Sequence, residues 1–283
     1  MPRSSKRRGH ALSYPRVTGA QLKRRTLDGR GIQVELGEAI SRVRESVVAV
    51  IRIRESGRKS QGKKRPMAIE YKVSFGTGFC VVDDKYVVTA FHNLNEGKAP
   101  TEKDRHYVMT VPGNGGSAFH FQVVAMPLLR QDLDIAVLEI GPCATEGIRL
   151  PSLPVTVQPQ QDGTRVVTVG FPAPEVHGLS IDPQGNYMGG NFFLKSHANE
   201  GIVAAHYELG SLPVYELNVA WHHGESGGPI ATVSNGEAAV FSLMQQYRNV
   251  QSPHGILPGP HRGVSLAVIR DELEQFGVPV NAV

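Results

Sequence analysis

The sequence predicts an all-β chain of the antiparallel barrel or sandwich class. Three observations carry this. Short segments rich in β-branched residues recur along the chain, with turn residues between them. The 283 residues include 31 Gly and 19 Pro, on the high side and as expected of a chain with many turns. Helical periodicity is confined to one short segment at each end of the body, which disfavours βαβ winding.

Residues 1–32 show no clear periodicity and read as a basic, disordered extension. Residues 1–30 contain nine Lys or Arg against Asp28, a balance of +8. The whole chain is +4, so the rest carries −4. In "ELGEAISRV", Leu36, Ala39, Ile40 and Val43 fall at i, i+3, i+4 and i+7, a short amphipathic helix. "SVVAVIRIR" is β-branched and then alternating, a strand. "ESGRKSQGKKRP" is a basic, turn-rich loop. "VSFGTGFCVVDDKYVVTAFHN" places two apolar runs around Asp83-Asp84-Lys85, a hairpin.

"FQVVAM", "DIAVLEI", "RVVTVGFPAP", "GIVAAHY", "VYELNVAW", "AAVFSLMQQY" and "GVSLAV" are further strands. "IRDELEQFG" has Ile269, Leu273 and Phe276 at i, i+4 and i+7, and Gly277 stops it as a C-terminal helix. "GPCATEGIRLPSLP", 141–154, is the linker expected between an N-terminal half (33–150) and a C-terminal half (151–283).

No apolar run approaches the 18 residues of a membrane span. Two cysteines, Cys80 and Cys143, permit at most one bridge. Both are read as free thiols, and a reducing, cytoplasmic setting is expected over secretion. The N-terminus has no apolar signal region, although its Arg-rich, acid-poor character also fits an organelle transit peptide.

A serine nucleophile needs a base to take its proton, and the base needs a partner that sets its tautomer. His92 follows the strand "VVTA", Asp134 opens "DIAVLEI", and Ser226 stands in "GESGGPI". Asp132 competes with Asp134, because alternation would put both on one strand face. His222 and His223 beside the serine are read as cleft wall. Neighbours in an extended chain face opposite ways, and no Cys or HExxH partner is near, so no metal is implied.

"GTGF…YVVTAFHN", "DIAVLEI" and "GESGGPI", in that order, resemble the chymotrypsin-like serine peptidases, and most of all their HtrA/Deg-type branch. "VVTVGFPAP" and "GVSLAVIRDELEQFG" agree, so the resemblance covers about residues 33–277. It implies two packed six-stranded antiparallel barrels with the site between them. It makes His92 the general base, Asp134 the orienting carboxylate and Ser226 the nucleophile of a serine endopeptidase working through an acyl-enzyme. The N–H groups of Gly224 and Ser226 would form the oxyanion hole, and no cofactor is implied.

The resemblance also places the specificity pocket. Its floor would be Ala220, followed by Trp221, and its edge Ser242, Leu243 and Met244. No acid lies among these, which implies cleavage after Val, Ala, Leu or Ile rather than Lys or Arg. The sequence departs from the branch in four ways. It ends soon after the last helix, leaving no room for a PDZ domain. Glu225 stands where Asn or Asp is usual. Asn93 replaces the cysteine of secreted members. There is no IVGG-like start.

Two other readings remain open at this level. One is a protease-like peptide-binding or chaperone module that rarely cuts. The other gives the basic arm, and with it "RKSQGKKR", the main role in contacting a polyanion or acidic partner.

Overall fold

The computed structural model describes residues 29–59, 68–114, 116–252 and 255–280. Two closed antiparallel barrels of six strands each make up the body, in the orders β1-β2-β3-β6-β5-β4 and β10-β11-β14-β13-β12-β7. The first uses β1 (Val47–Lys59), β2 (Ala68–Val82), β3 (Tyr86–Ala90), β4 (Asp104–Thr110), β5 (Phe119–Arg130) and β6 (Ile135–Cys143). The second uses β7 (Arg165–Gly170), β10 (His197–Leu209), β11 (Leu212–Leu217), β12 (Pro229–Ser234), β13 (Glu237–Ser252) and β14 (Gly255–Ser265). A separate two-stranded ribbon joins β8 (Glu175–Ile181) to β9 (Tyr187–Phe193).

Closure follows from the β-branched runs. Val47 to Ile51 and Ile53 are all buried, because β1 has the barrel interior on one side and covering elements on the other. Two-sided burial explains why such strands read as continuous rather than alternating apolar runs.

The terminal helices cross over. α1 (Gly29–Ser46) precedes the first barrel but packs on β7, β12 and β13 of the second. Ala39, Val43 and Ser46 are buried in it, and Arg44 Nε donates to Ser196 Oγ at 3.0 Å. α3 (Arg270–Gln275) follows the second barrel and reaches back to the first. Phe276 packs on Tyr86 with ring centroids 5.1 Å apart, and Arg130 pairs with Glu272 at 3.5 Å. Each end of the chain thus clasps the barrel it does not belong to.

The structure differs from the sequence reading at several points. α1 is longer than the expected segment and starts at Gly29, inside the expected extension. Residues 1–28 lie outside the described residues. β1 continues through Lys59 where a loop was expected, because its partner β2 extends equally far, Lys59 opposite Ala68. The remainder of that loop, 60–67, lies outside the described residues.

Four strands lacked a readable signal. β4 carries Asp104 and His106 in buried positions, so polarity masked it. Asp104 pairs with Arg52 at 2.9 Å and His106 Nε2 lies 2.8 Å from the Leu94 carbonyl. β8 and β9 are largely exposed and Gly-rich, and β12 begins with a proline. Residues 141–143 of the expected linker belong to β6, and the chain reaches β7 only at Arg165, touching both barrels on the way. Leu153 N–H donates to Cys80 O, and Val240 N–H donates to Pro154 O.

Candidate active site

His92 begins the single turn α2 (His92–Asn95), where the chain leaves β3. Asp134 sits at the end of a tight turn before β6, with φ +53. A short polar side chain tolerates that left-handed conformation better than most. The turn matters for the choice between carboxylates, since strand alternation does not operate there. Asp134 faces His92, with Oδ2 2.8 Å from Nδ1 and Oδ1 accepting the His92 N–H at 2.9 Å. Its carbonyl also accepts the Phe91 N–H at 3.1 Å. Asp132 instead turns outward and pairs with Arg130 at 2.8 Å. A carboxylate can only accept, so the Nδ1 proton lies towards Asp134, and in the neutral imidazole Nε2 is then the nitrogen with the lone pair.

Ser226 lies in the loop between β11 and β12, and the first barrel holds that loop. Thr77 N–H and Asn93 Nδ2 both donate to the Ser226 carbonyl at 2.8 Å. Thr77 Oγ1 donates to Gly224 O at 2.6 Å and accepts the Phe171 N–H at 3.0 Å. Asn93 also donates to Thr89 Oγ1 at 3.0 Å. Gly227 has φ +84, and a Cβ there would lie 2.3 Å from Thr77 O. Only glycine permits both that conformation and that approach. Sequence reasoning did not single out Thr77, and it noted Asn93 only as replacing a cysteine, not for this role. Their signal was position alone: Thr77 is inside "GTGF", and Asn93 follows His92.

The hydroxyl of Ser226 donates to the Gln245 carbonyl at 3.2 Å. Gln245 Nε2 donates to Leu133 O at 2.5 Å and so ties β13 to the Asp134 turn. The N–H groups of Gly224 and Ser226 have no hydrogen-bond acceptor among the described residues. The carbonyl between them and His222, that of His223, is occupied by the Ala173 N–H at 3.0 Å.

A cleft of about 550 Å³ brings His92, Asp134 and Ser226 together with Trp221, His222 and His223. Gly97, Gln131 and Gln245 form its rim. A separate cavity of about 300 Å³ between α1 and the 151–154 segment contains Arg42 and Glu45 but no base–carboxylate pair. Among the described residues no cluster of metal-ligating side chains occurs.

Of the five residues expected in the specificity pocket, Trp221 alone lines the cleft. Ala220 is exposed. Ser242 is buried and donates to Val264 O at 2.7 Å. Leu243 is buried in the apolar cluster that runs through both barrels, and Met244 in one of the second barrel, where it packs against Gly228. Both faces of β13 are covered at this level, so alternation leaves neither residue facing the cleft. The β13 contact with the cleft begins one residue later, at Gln245.

Two closed barrels with a histidine–carboxylate pair and a glycine-flanked serine in the cleft define a peptidase class of known architecture. The Trypsin-like peptidase domain profile matches residues 76–239, more than half of the chain. The chain belongs to that family of serine-type peptidases. No curated protein sequence matches it. Among solved structures it is similar to the HtrA-type protease AlgW with decapeptide, at TM-score 0.56 and 16% identity over 84% of this chain and 66% of that one. The same protease with tripeptide gives TM-score 0.52 and 16% identity over 86% and 64%. The chain thus spans just under two thirds of those proteins' length, and at this identity the likeness is one of fold.

Proposed function

We propose that this chain is a serine endopeptidase using Ser226 as nucleophile, His92 as general base and Asp134 as orienting carboxylate. The observation that carries the reading is the 2.8 Å contact of His92 Nδ1 with Asp134, inside the cleft that Ser226 lines. His92 Nε2 takes the Ser226 hydroxyl proton as Oγ bonds to the peptide carbonyl carbon. The N–H groups of Gly224 and Ser226 receive the oxyanion, a role supported by their lack of another acceptor. Collapse of the tetrahedral adduct breaks the C–N bond. The leaving amine takes the proton from His92, and the acyl group stays on Oγ. Water then repeats the sequence and releases the acid.

Peptides are the substrate class, as supported by the decapeptide and tripeptide named with the two similar structures. Of the expected preference for small or medium apolar side chains before the cut, the lining supports one part, the exclusion of Lys and Arg. Asp134 is the sole acid among the described residues that line the cleft, and it is engaged by His92. A buried cationic side chain would find no partner there.

One observation favours a second reading, a protease-like module that binds peptides and seldom cuts. The Ser226 hydroxyl rests on the Gln245 carbonyl. A fluorophosphonate probe separates the two readings. Labelling of the wild type that is lost in Ser226→Ala supports the peptidase, and no labelling of the folded wild type supports the module.

A further inference from the structure

Glu225, between Gly224 and Ser226, is a buried carboxylate that the mechanism above leaves unused. Its residue is 1% exposed, and no Lys or Arg pairs with it among the described residues. Oε2 accepts the His222 N–H at 2.6 Å, and Oε1 accepts from Asn199 Nδ2 on β10 at 3.5 Å. The Glu225 N–H donates back to His222 O at 3.2 Å, and the Glu225 carbonyl accepts the Gly228 N–H at 3.0 Å. The side chain lies flat on β7 at Gly170, where a Cβ would stand 2.9 Å from Glu225 Cβ and Cγ. Apart from the Asn199 contact to β10, the hydrogen bonds of Glu225 close one side or the other of the Ser226 turn.

The turn His222–Glu225 is fastened twice, once by backbone and once by carboxylate. Gly224 sits inside it with φ +100, a conformation with no local preference for one amide direction over its mirror. Something outside the glycine must choose that direction. The carboxylate sets where the His222 peptide points, and the Ala173 N–H sets the His223 carbonyl.

We propose that Glu225 is the positioning residue of the oxyanion hole: its buried carboxylate locks the His222 amide and so aims the N–H groups of Gly224 and Ser226 into the cleft. This rests on the reading of Ser226 as nucleophile. Burial raises the Glu225 carboxyl above its ordinary range, opposed by the His222 N–H, the His222 imidazole charge and Asn199. The ionised form is the stronger acceptor. Loss of that anion at low pH therefore loosens the hole and adds an acid limb to turnover.

The test uses the full chain with a peptide ester and a peptide amide substrate. Glu225→Gln keeps the shape and an acceptor oxygen but cannot ionise; Glu225→Ala leaves the His222 N–H bare. The expected result is a fall in kcat of about 10-fold or more for Glu225→Ala, with KM within about 2-fold, since an oxyanion donor is worth about 10²–10³ in kcat. Glu225→Gln should lie between and should shift the acid limb of the kcat profile. Equal kcat in all three folded proteins, or a loss carried by KM alone, would overturn the proposal. Should Glu225→Ala fail to fold, the pH profile of Glu225→Gln decides by itself. Ser226→Ala is run in parallel: if it retains hydrolysis, the nucleophile assignment has failed. If it is dead while the Glu225 variants match wild type, only the present inference has failed.

Discussion

At the scale of single residues, contact geometry separates groups that the sequence leaves equivalent. Asp132 and Asp134 are two positions apart, yet one meets His92 and the other meets Arg130 in solvent. Asp134→Asn is therefore expected to cost about 10⁴ in kcat by reversing the imidazole tautomer, whereas Asp132→Asn should leave kcat within about 2-fold. Steady-state assays of the two variants check this. The cysteines divide in the same way. Burial pushes the Cys80 thiol up to about 12, while Cys143 is half-buried and free. Native protein should take up one equivalent of iodoacetamide, at Cys143, with Cys80 reacting only after denaturation. Mass spectrometry of the labelled peptides reads the outcome.

At the scale of elements, the loop carrying Ser226 is built from contacts to both barrels. Thr77 in β2 bonds to Gly224 and Phe171, and Asn93 in α2 bonds to Ser226. Thr77→Val removes a hydroxyl that both donates and accepts, leaving buried groups unpaired at a cost of about 1–3 kcal/mol. It should lower kcat more than it raises KM. Gly227→Ala should be worse, since the added Cβ meets backbone at φ +84; expression without labelling by a fluorophosphonate is the expected result.

Glu225 also links this loop to stability. Its folded-state carboxyl lies above the ordinary 4.5 because of burial. Folding therefore favours the protonated acid. That contribution is fully present below the unfolded value and is lost as pH rises through the folded value, where the buried charge starts to cost stability. Glu225→Gln cannot ionise, so its Tm should gain on the wild type as pH rises above about 4.5. A Tm difference independent of pH contradicts this.

At the scale of the whole molecule, the barrels are joined by more than the linker. α1 clasps the second barrel and α3 the first, so the cleft between them is fastened from both ends of the chain. Leu273 is fully buried in α3. Leu273→Ala should destabilise the fold by about 2–5 kcal/mol and lower Tm without a selective change in KM. The charge asymmetry belongs to this scale too. Removing residues 1–28 should leave peptide cleavage unchanged. It should weaken any binding to heparin or nucleic acid, and that binding should fall with added salt. Salt-insensitive binding, or loss of cleavage on truncation, would count against it.

The sequence by itself determined the antiparallel β class, the terminal helices, the nucleophile and base candidates and their order. These follow from local patterns: β-branched runs, turn glycines and a serine flanked by glycines. It favoured Asp134 over Asp132 as the carboxylate, and it assigned the pocket edge to Ser242, Leu243 and Met244, which lie short of the cleft. Only the tertiary structure shows which aspartate meets His92 and which of the pocket residues meet the cleft. Which side of β13 is covered depends on barrel closure and on Gly228 against Met244, contacts between residues far apart in the chain. The same holds for Thr77, Asn93 and Gln245. Each acts through hydrogen bonds to backbone groups distant in the chain, and such bonds leave no periodic mark on the sequence around them.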